Sequence, residues 1–331
     1  MAIRTNEDRL VRCAVQGGVA PSLQYADFEI SRRGVGLALP SVGGITYNVR
    51  VGDSCMGLAG DHIEPGVSAI LDVKERSGKA NLGFNFLACV GNLARVVTGD
   101  AKGAKGAVIG THGGVEHVVV DFPPEALAKM TLDDKILIEG YGQGLRLLDH
   151  PEVKAYSLDP RVLAKMGVRE KGGALEVPVA AIVPAQLMGS GVGSTNICTG
   201  DYDIMTSDAA SFEKYELGKL RFGDFVAVLD HDNSYGRDYV QGAVSIGVIV
   251  HSDSILAGHG PGLTTVLTAR DGGLRPVKSS GANLAKLLGI GAFARKKRSR
   301  RQGADGRKRG VFVLAANRRR RRPKASARRR R

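Results

Sequence analysis

Short apolar runs rich in β-branched residues recur along the chain, each bounded by glycine, aspartate or proline. They occupy residues 10–15, 67–73, 95–98, 118–122, 135–139, 177–183, 225–229, 244–250 and 263–268. Runs of this length and punctuation predict strands of barrels or sandwiches, not repeating strand–helix units. Helices are expected to be few and short, at 124–130, 160–166, 211–215 and 283–288. The last puts Leu284, Leu287 and Leu288 on one face and stops at Gly289, the expected end of the folded chain. Residues 95–122 read as strand, glycine-rich turn, strand, loop, strand, the pattern of a small barrel. The expected fold class is mainly β: small β-barrel and sandwich-like domains with a few short helices. Expected divisions are an N-terminal β domain (1–90), a small barrel with short helices (91–175), a C-terminal β domain carrying the candidate site (176–291) and a disordered basic tail (292–331).

Composition narrows the class. The 331 residues are 43% hydrophobic and 24% charged, which is ordinary for a globular protein, and the length suggests two or three domains. No apolar run approaches the ~18–20 residues of a membrane helix, so no membrane association is expected. Residues 1–30 lack a basic start followed by an apolar block, so no secretory signal is expected either. Cys13, Cys55, Cys89 and Cys198 stand far apart without a C-x-x-C pair, which suits a reducing cytoplasm and argues against a thiolate zinc site. A homo-oligomer is expected.

The net charge of +14 changes meaning once it is divided. From Arg295 onward there are 19 of the 47 basic residues and one of the 33 acidic ones, while the first 294 residues carry a net −4. The excess positive charge therefore belongs to the tail, and the basic balance says nothing about the main ligand. At this density like charges repel, and the expected tail is a solvated extension. Its functional alternative is non-specific attachment to nucleic acid through phosphate contacts. The glycine pattern of 95–122 also resembles the barrel motif called KOW in ribosome-associated proteins, although glycines at strand corners recur wherever a small sheet curls.

Candidate chemistry concentrates between Asp224 and Leu267, where Asp230, His231, Asp232, Arg237, Asp238, His251, Asp253 and His259 follow in close order at strand ends. Any one of them reads as a turn cap or a water-binding residue. Three of the seven histidines clustered with several aspartates read as a site. Two further loops could converge on it: Asp61, His62 and Glu64 before a strand, and His112, Glu116 and His117 around a glycine pair. If His117 begins a strand, Glu116 and His117 point to opposite faces and at most one joins a given site. Nitrogen and carboxylate donors without thiolate suit Zn, Mn or Fe. Asp201 and Asp203 flank Tyr202, share a face of an extended segment and could hold a cation together or simply bind solvent at a turn. The glycine run at 189–193 lacks the ending of a nucleotide phosphate loop.

Several of these runs together resemble one family. Gly60-Asp-His62, Gly113-Gly-Val-Glu-His117, Thr199-Gly-Asp-Tyr-Asp-Ile204, Leu220-Arg-Phe-Gly-Asp224, Val250-His-Ser-Asp-Ser254 and Gly258-His-Gly-Pro-Gly262 are similar to the uncharacterised prokaryotic family called domain-of-unknown-function family 4438. The resemblance spans about residues 5–290 and implies a mainly β, multi-domain soluble protein, with no assigned activity. A second likeness, to metal-dependent acetamidases and formamidases, lies in the order of an apolar strand at 177–183, the glycine loop and the segment 223–231. That family's Gly-Asp-x-His is replaced here by Asp230-His231, and its Gly-Asp-Gly-Glu by Tyr235-Gly-Arg-Asp238, so the likeness supports a site without supporting amide hydrolysis.

Two functions are therefore expected as alternatives. The first is a metal-assisted hydrolase of a small polar substrate, with His251 and His259 as ligands and His62, Asp61 and His112 as additions. Asp230, His231 and Asp253 would do acid–base work, and Arg237 would fix an anionic group. The second is a non-catalytic β-barrel protein that binds a metabolite or RNA.

Overall fold

The structure, a computed structural model, describes residues 3–294; the basic run from Arg295 onward, and with it nearly all of the expected tail, lies outside the described residues. In chain order the strands of the first half are β1 (Cys13–Val19), β2 (Glu29–Ile30), β3 (Gly36–Leu37), β4 (Ile45–Thr46), β5 (Gly66–Ile70), β6 (Leu93–Val96), β7 (Lys105–His112), β8 (His117–Asp121) and β9 (Lys135–Gly140). Six of them close a barrel in the order β1-β9-β6-β7-β8-β5, with β5 returning to β1, and every neighbour is antiparallel. Closure removes the sheet edges that would otherwise be unpaired. Its interior follows strand alternation: Ala94 and Val96 of β6 and Ile136 and Ile138 of β9 point inward, while Arg95 and Lys135 are exposed.

This topology revises the expected division at residue 90. The barrel needs β1 and β5 from the stretch before it and β6 to β9 from the stretch after it, because β5 pairs with both β1 and β8. A helix that the periodicity did not predict, α1 (Lys79–Leu87), lies between β5 and β6 and packs Phe84 into the barrel core. Gly83 and the scattered polar residues hide its amphipathic pattern.

The second half contains β10 (Lys154–Ala155), β11 (Arg169–Lys171), β12 (Ala174–Val179), β13 (Ala181–Pro184), β14 (Phe225–Asp232), β15 (Asp238–Ile249), β16 (Leu263–Ala269) and β17 (Leu274–Lys278). One sheet has the order β10-β16-β15-β14-β13, antiparallel except for β13 against β14; a smaller one has the order β11-β12-β17. The apolar run expected as one strand at 177–183 is thus two. The chain breaks at Ala180, whose N–H donates to Phe225 O at 2.7 Å, and passes from the smaller sheet to the larger. Four short helices complete the fold: α2 (Pro124–Leu127), α3 (Pro160–Leu163), α4 (Ala209–Lys214) and α5 (Leu284–Leu288). Folding continues past Gly289: Ala292 N donates to Val51 O at 2.9 Å and Phe293 packs on the core, so 292–294 belong to the body and not to the tail. Among the described residues no helix is long and apolar enough to cross a membrane.

What matters for the site is how barrel and sheet join. On β7 and β8, Val108, Val118 and Val120 face the barrel core, whereas Ile109 and Val119 belong to the core of the second half. Both faces of this hairpin are buried, which explains its continuous apolar text. Thr111 and Thr264 seal the seam reciprocally: Thr111 N donates to Thr264 Oγ1, which donates back to Thr111 O, each at 3.0 Å. The end of β7, the start of β8 and the end of β15 lie at this junction.

Candidate metal centre

Four loops bring five histidines and four carboxylates to that junction. His251 lies two residues past the end of β15 and is wholly buried. Its Nδ1–H donates to Ser252 O at 2.9 Å, which leaves Nε2 facing inward. There Asp201 Oδ2 lies 2.8 Å away and Asp203 Oδ1 3.5 Å away. Among the described residues neither His251 Nε2 nor Asp201 Oδ2 makes a well-formed hydrogen bond, although both are buried. A proton on Nε2 would satisfy this pair only through a poorly aligned contact, whereas a cation accepting a lone pair from each atom would reconcile them fully.

The other donors are oriented in the same manner. His112 ends β7, and its Nδ1–H donates to Glu64 Oε1 at 2.8 Å, so Nε2 faces the cluster while the ring stacks on His251 at 4.2 Å. His62 donates from Nδ1 to Asp61 Oδ2 at 2.7 Å, and Asp61 is itself held by Ser254 Oγ and Ile255 N, each at 2.8 Å. Carboxylates behind imidazoles fix the tautomer and raise donor strength in metal sites. His62 is also held in the left-handed region, φ 51°, a strained backbone for a non-glycine residue. Two overlapping groups, His62–Asp203–His251 and His112–Asp201–His251, each place three donor atoms within 4.8 Å of one another.

Charge distribution follows from these contacts. Burial alone would raise the Asp203 and Glu64 carboxyls, but the surrounding imidazoles outweigh it and hold both well below the usual carboxylate range. Burial disfavours the charged form of His251, yet Asp201 and Asp203 overcome it and raise its pKa well above 6.5. For His112 burial wins and, with the charge of His251, lowers its pKa.

The remaining expected residues fall into two sets. His259 stands at the mouth, 31% exposed at its side chain, with Nδ1 at 3.1 Å from Asp203 Oδ2 and 3.0 Å from His62 Nε2, which are themselves 3.6 Å apart; it approaches these donors from the open side of the cluster. Asp61 likewise supports His62 from behind. Arg237 lines the same cleft, of about 360 Å³. By contrast, Asp230, His231 and Asp253 lie outside it. Strand direction explains the first two: β14 runs antiparallel to β15, so its last residues sit opposite the start of β15, whereas His251 follows its end. Asp230 occupies a bulge and accepts from Gly242 N at 2.8 Å, and His231 packs on the ring of Tyr202 at 5.2 Å. Asp253 turns to a different cavity, where it accepts from Thr206 Oγ1 at 2.6 Å and lies 3.8 Å from Arg32.

Three members stood outside the ligand set given for the metal-assisted hydrolase. Asp201 and Asp203 were legible as a cation-holding pair by their spacing, and Tyr202 between them turns away into the core. Glu64 was only one acid of a loop; it bridges His112 and His117, whose Nδ1 is 3.1 Å from Glu64 Oε2. Gly262 lets the donors approach. A methyl group there would run into both Asp201 Oδ2 and His251 Nε2. Gly262→Ala should therefore displace them and abolish metal uptake while the circular dichroism of the sheets persists; full uptake would show that these two atoms are not donors.

Fold and cluster define a mainly β protein with a closed six-stranded barrel and a buried histidine–aspartate centre at its junction with a second sheet. The chain belongs to the family described as Domain of unknown function (DUF4438): its N-terminal model matches residues 28–164 and its C-terminal model residues 165–288. The family's own division falls between α3 and β11, after the barrel is complete. A solved structure titled "Crystal structure of TM1086" is 47% identical, covers 86% of this chain and 99% of its own, and superposes with a TM-score of 0.81. No curated protein matches the chain.

Proposed function

We propose that the cluster holds one divalent first-row metal ion and that the protein uses it to hydrolyse a small polar substrate in the adjoining cleft. The observation that carries this reading is the pair His251 Nε2 and Asp201 Oδ2, buried and 2.8 Å apart without a well-formed hydrogen bond among the described residues, beside the further donors His62, His112 and Asp203. Three imidazole nitrogens, from His62, His112 and His251, with carboxylates of Asp201 and Asp203, form a donor set suited to Mn, Fe or Zn. When bound, the ion would act as a Lewis acid and lower the pKa of a water molecule toward ~7. His259 is the residue placed to move a proton there. Its inner nitrogen is engaged by Asp203 and His62, and the rest of its ring lines the cleft. Asp61 and Glu64 keep the donor rings aimed inward.

Elemental analysis of protein purified without a histidine tag tests the first step. About one first-row ion per chain is expected. Protein that stays metal-free after incubation with Mn, Fe and Zn would overturn the proposal. Metal-loaded protein without hydrolytic activity toward esters, amides and phosphoesters would instead favour a metabolite-binding role.

A further inference from the structure

Arg237 is 3% exposed yet forms no ion pair among the described residues. Its Nη1 and Nη2 donate to the carbonyls of Gly191 and Asn196 at 3.4 and 3.2 Å, its plane lies 5.1 Å from the Tyr202 ring, and its buried Nε has no partner. A guanidinium serving only the fold at this depth would ordinarily be matched by a carboxylate, because an unpaired buried charge costs several kcal/mol. The backbone of Arg237 is pinned instead: its N–H donates to Ser194 O at 3.0 Å and its carbonyl accepts from Gly193 N at 2.8 Å. The glycine loop thus fixes the residue in the wall of the cleft that His112, Asp201 and His259 also line.

Two carboxylates lining that cleft, Asp201 and Asp203, are committed elsewhere. They face His251, His259 and the N–H groups of Gly113 and Gly260. A bound divalent cation would neutralise these two carboxylates, and Glu29, Asp61 and Glu116, which also line the cavity, form no ion pair with Arg237 among the described residues, so its charge is left without a direct counter-ion. We propose, resting on the metal reading above, that the substrate is an oxyanion, a carboxylate or a phosphate, whose charged group is held by Arg237 while its reacting bond lies over the metal centre. The planar fork of arginine suits either group. Anion affinity should also be higher in the metal-loaded protein than after chelation.

Isothermal titration of the metal-loaded protein with inorganic phosphate and, separately, with succinate tests the proposal and distinguishes its two sources. One of the two anions is expected to bind. Arg237→Met should weaken that binding by about 10- to 100-fold at unchanged metal content, and Arg237→Lys, which keeps the charge but not the fork, should lose less. If Arg237→Met does not fold, Arg237→Lys and Arg237→Gln carry the same comparison. Unchanged anion affinity in metal-bearing variants overturns the oxyanion proposal and leaves the metal centre standing, because an anion bound to the ion alone would not respond to residue 237. Wild-type protein that binds metal but neither anion overturns it likewise. Wild-type protein that takes up no metal overturns both.

Discussion

Metal bound to His251→Ala protein is expected to fall to background, and its melting temperature to drop on the order of 10 °C. The imidazole is wholly buried between Asp201 and Asp203 and belongs to both donor groups, so its loss removes the one ligand they share. Without it, two buried carboxylates lose their principal cationic partner, a change that typically costs about 3–5 kcal/mol. His259→Ala provides the contrast. That side chain is 31% exposed and approaches the donors from the open side, while His62, His112, His251, Asp201 and Asp203 remain, so metal content should fall far less than in His251→Ala and stability by only about 1 kcal/mol. Hydrolytic turnover, however, should fall with it if His259 moves the proton. Metal analysis and calorimetry on the same two samples check this. Full occupancy in His251→Ala, or loss of metal in His259→Ala equal to that in His251→Ala, would contradict the assignment of donors.

Much of this centre is legible in the sequence because strand ends carry their own signals. His251 and His112 follow apolar runs directly, and a strand delivers its terminal side chain rigidly, so clustering of histidines at such ends is informative. The two-residue spacing of Asp201 and Asp203 places both on one face, and that survives in the fold: both carboxylates reach His251 while Tyr202 between them is buried. What fails is proximity in sequence used as a substitute for proximity in space. Asp230 and His231 are as polar and as close to a strand end as His251, but antiparallel pairing sends them to the opposite end of the hairpin. Asp253, two residues from His251, faces a different cavity, which its spacing along the chain does not reveal. Glu64 is unreadable for another reason. Its role as the partner of both His112 and His117 depends on β5, β7 and β8 meeting in the closed barrel, and register across that barrel is not written in local periodicity. Gly83 hides the helix α1, and with it the two buried amides, Asn81 and Asn85, that donate to the carbonyl of Glu116 and fix the turn between His112 and His117.

Stripping the metal should cost more stability the higher the pH. In the metal-free protein a proton on His251 supplies the positive charge that Asp201 and Asp203 attract, and its folded pKa is raised well above the ordinary 6.5 despite burial. A raised pKa contributes stability that is fully present below 6.5 and is lost as the pH climbs through the folded value. Asp203 acts with the opposite sign. Its folded pKa is held well below 3.8, so its contribution is present above 3.8 and disappears only as the pH falls through that depressed value, under acid conditions. As the pH climbs above 6.5 toward that raised value, the contribution of His251 is therefore lost when no metal is bound. Metal loading reverses the trend, because the ion requires the neutral imidazoles that protons otherwise occupy. At a free metal concentration about 100-fold above Kd the ion stabilises the fold by ~2.7 kcal/mol, and protons erode that advantage as the pH falls. Calorimetric scans with and without a chelator across this range should show a melting-temperature gap that is small at the acid end and widens steadily toward the alkaline end. A gap that is constant, or that narrows as the pH rises, would mean that proton and metal do not compete for His251, and the shared-ligand geometry would have to be abandoned.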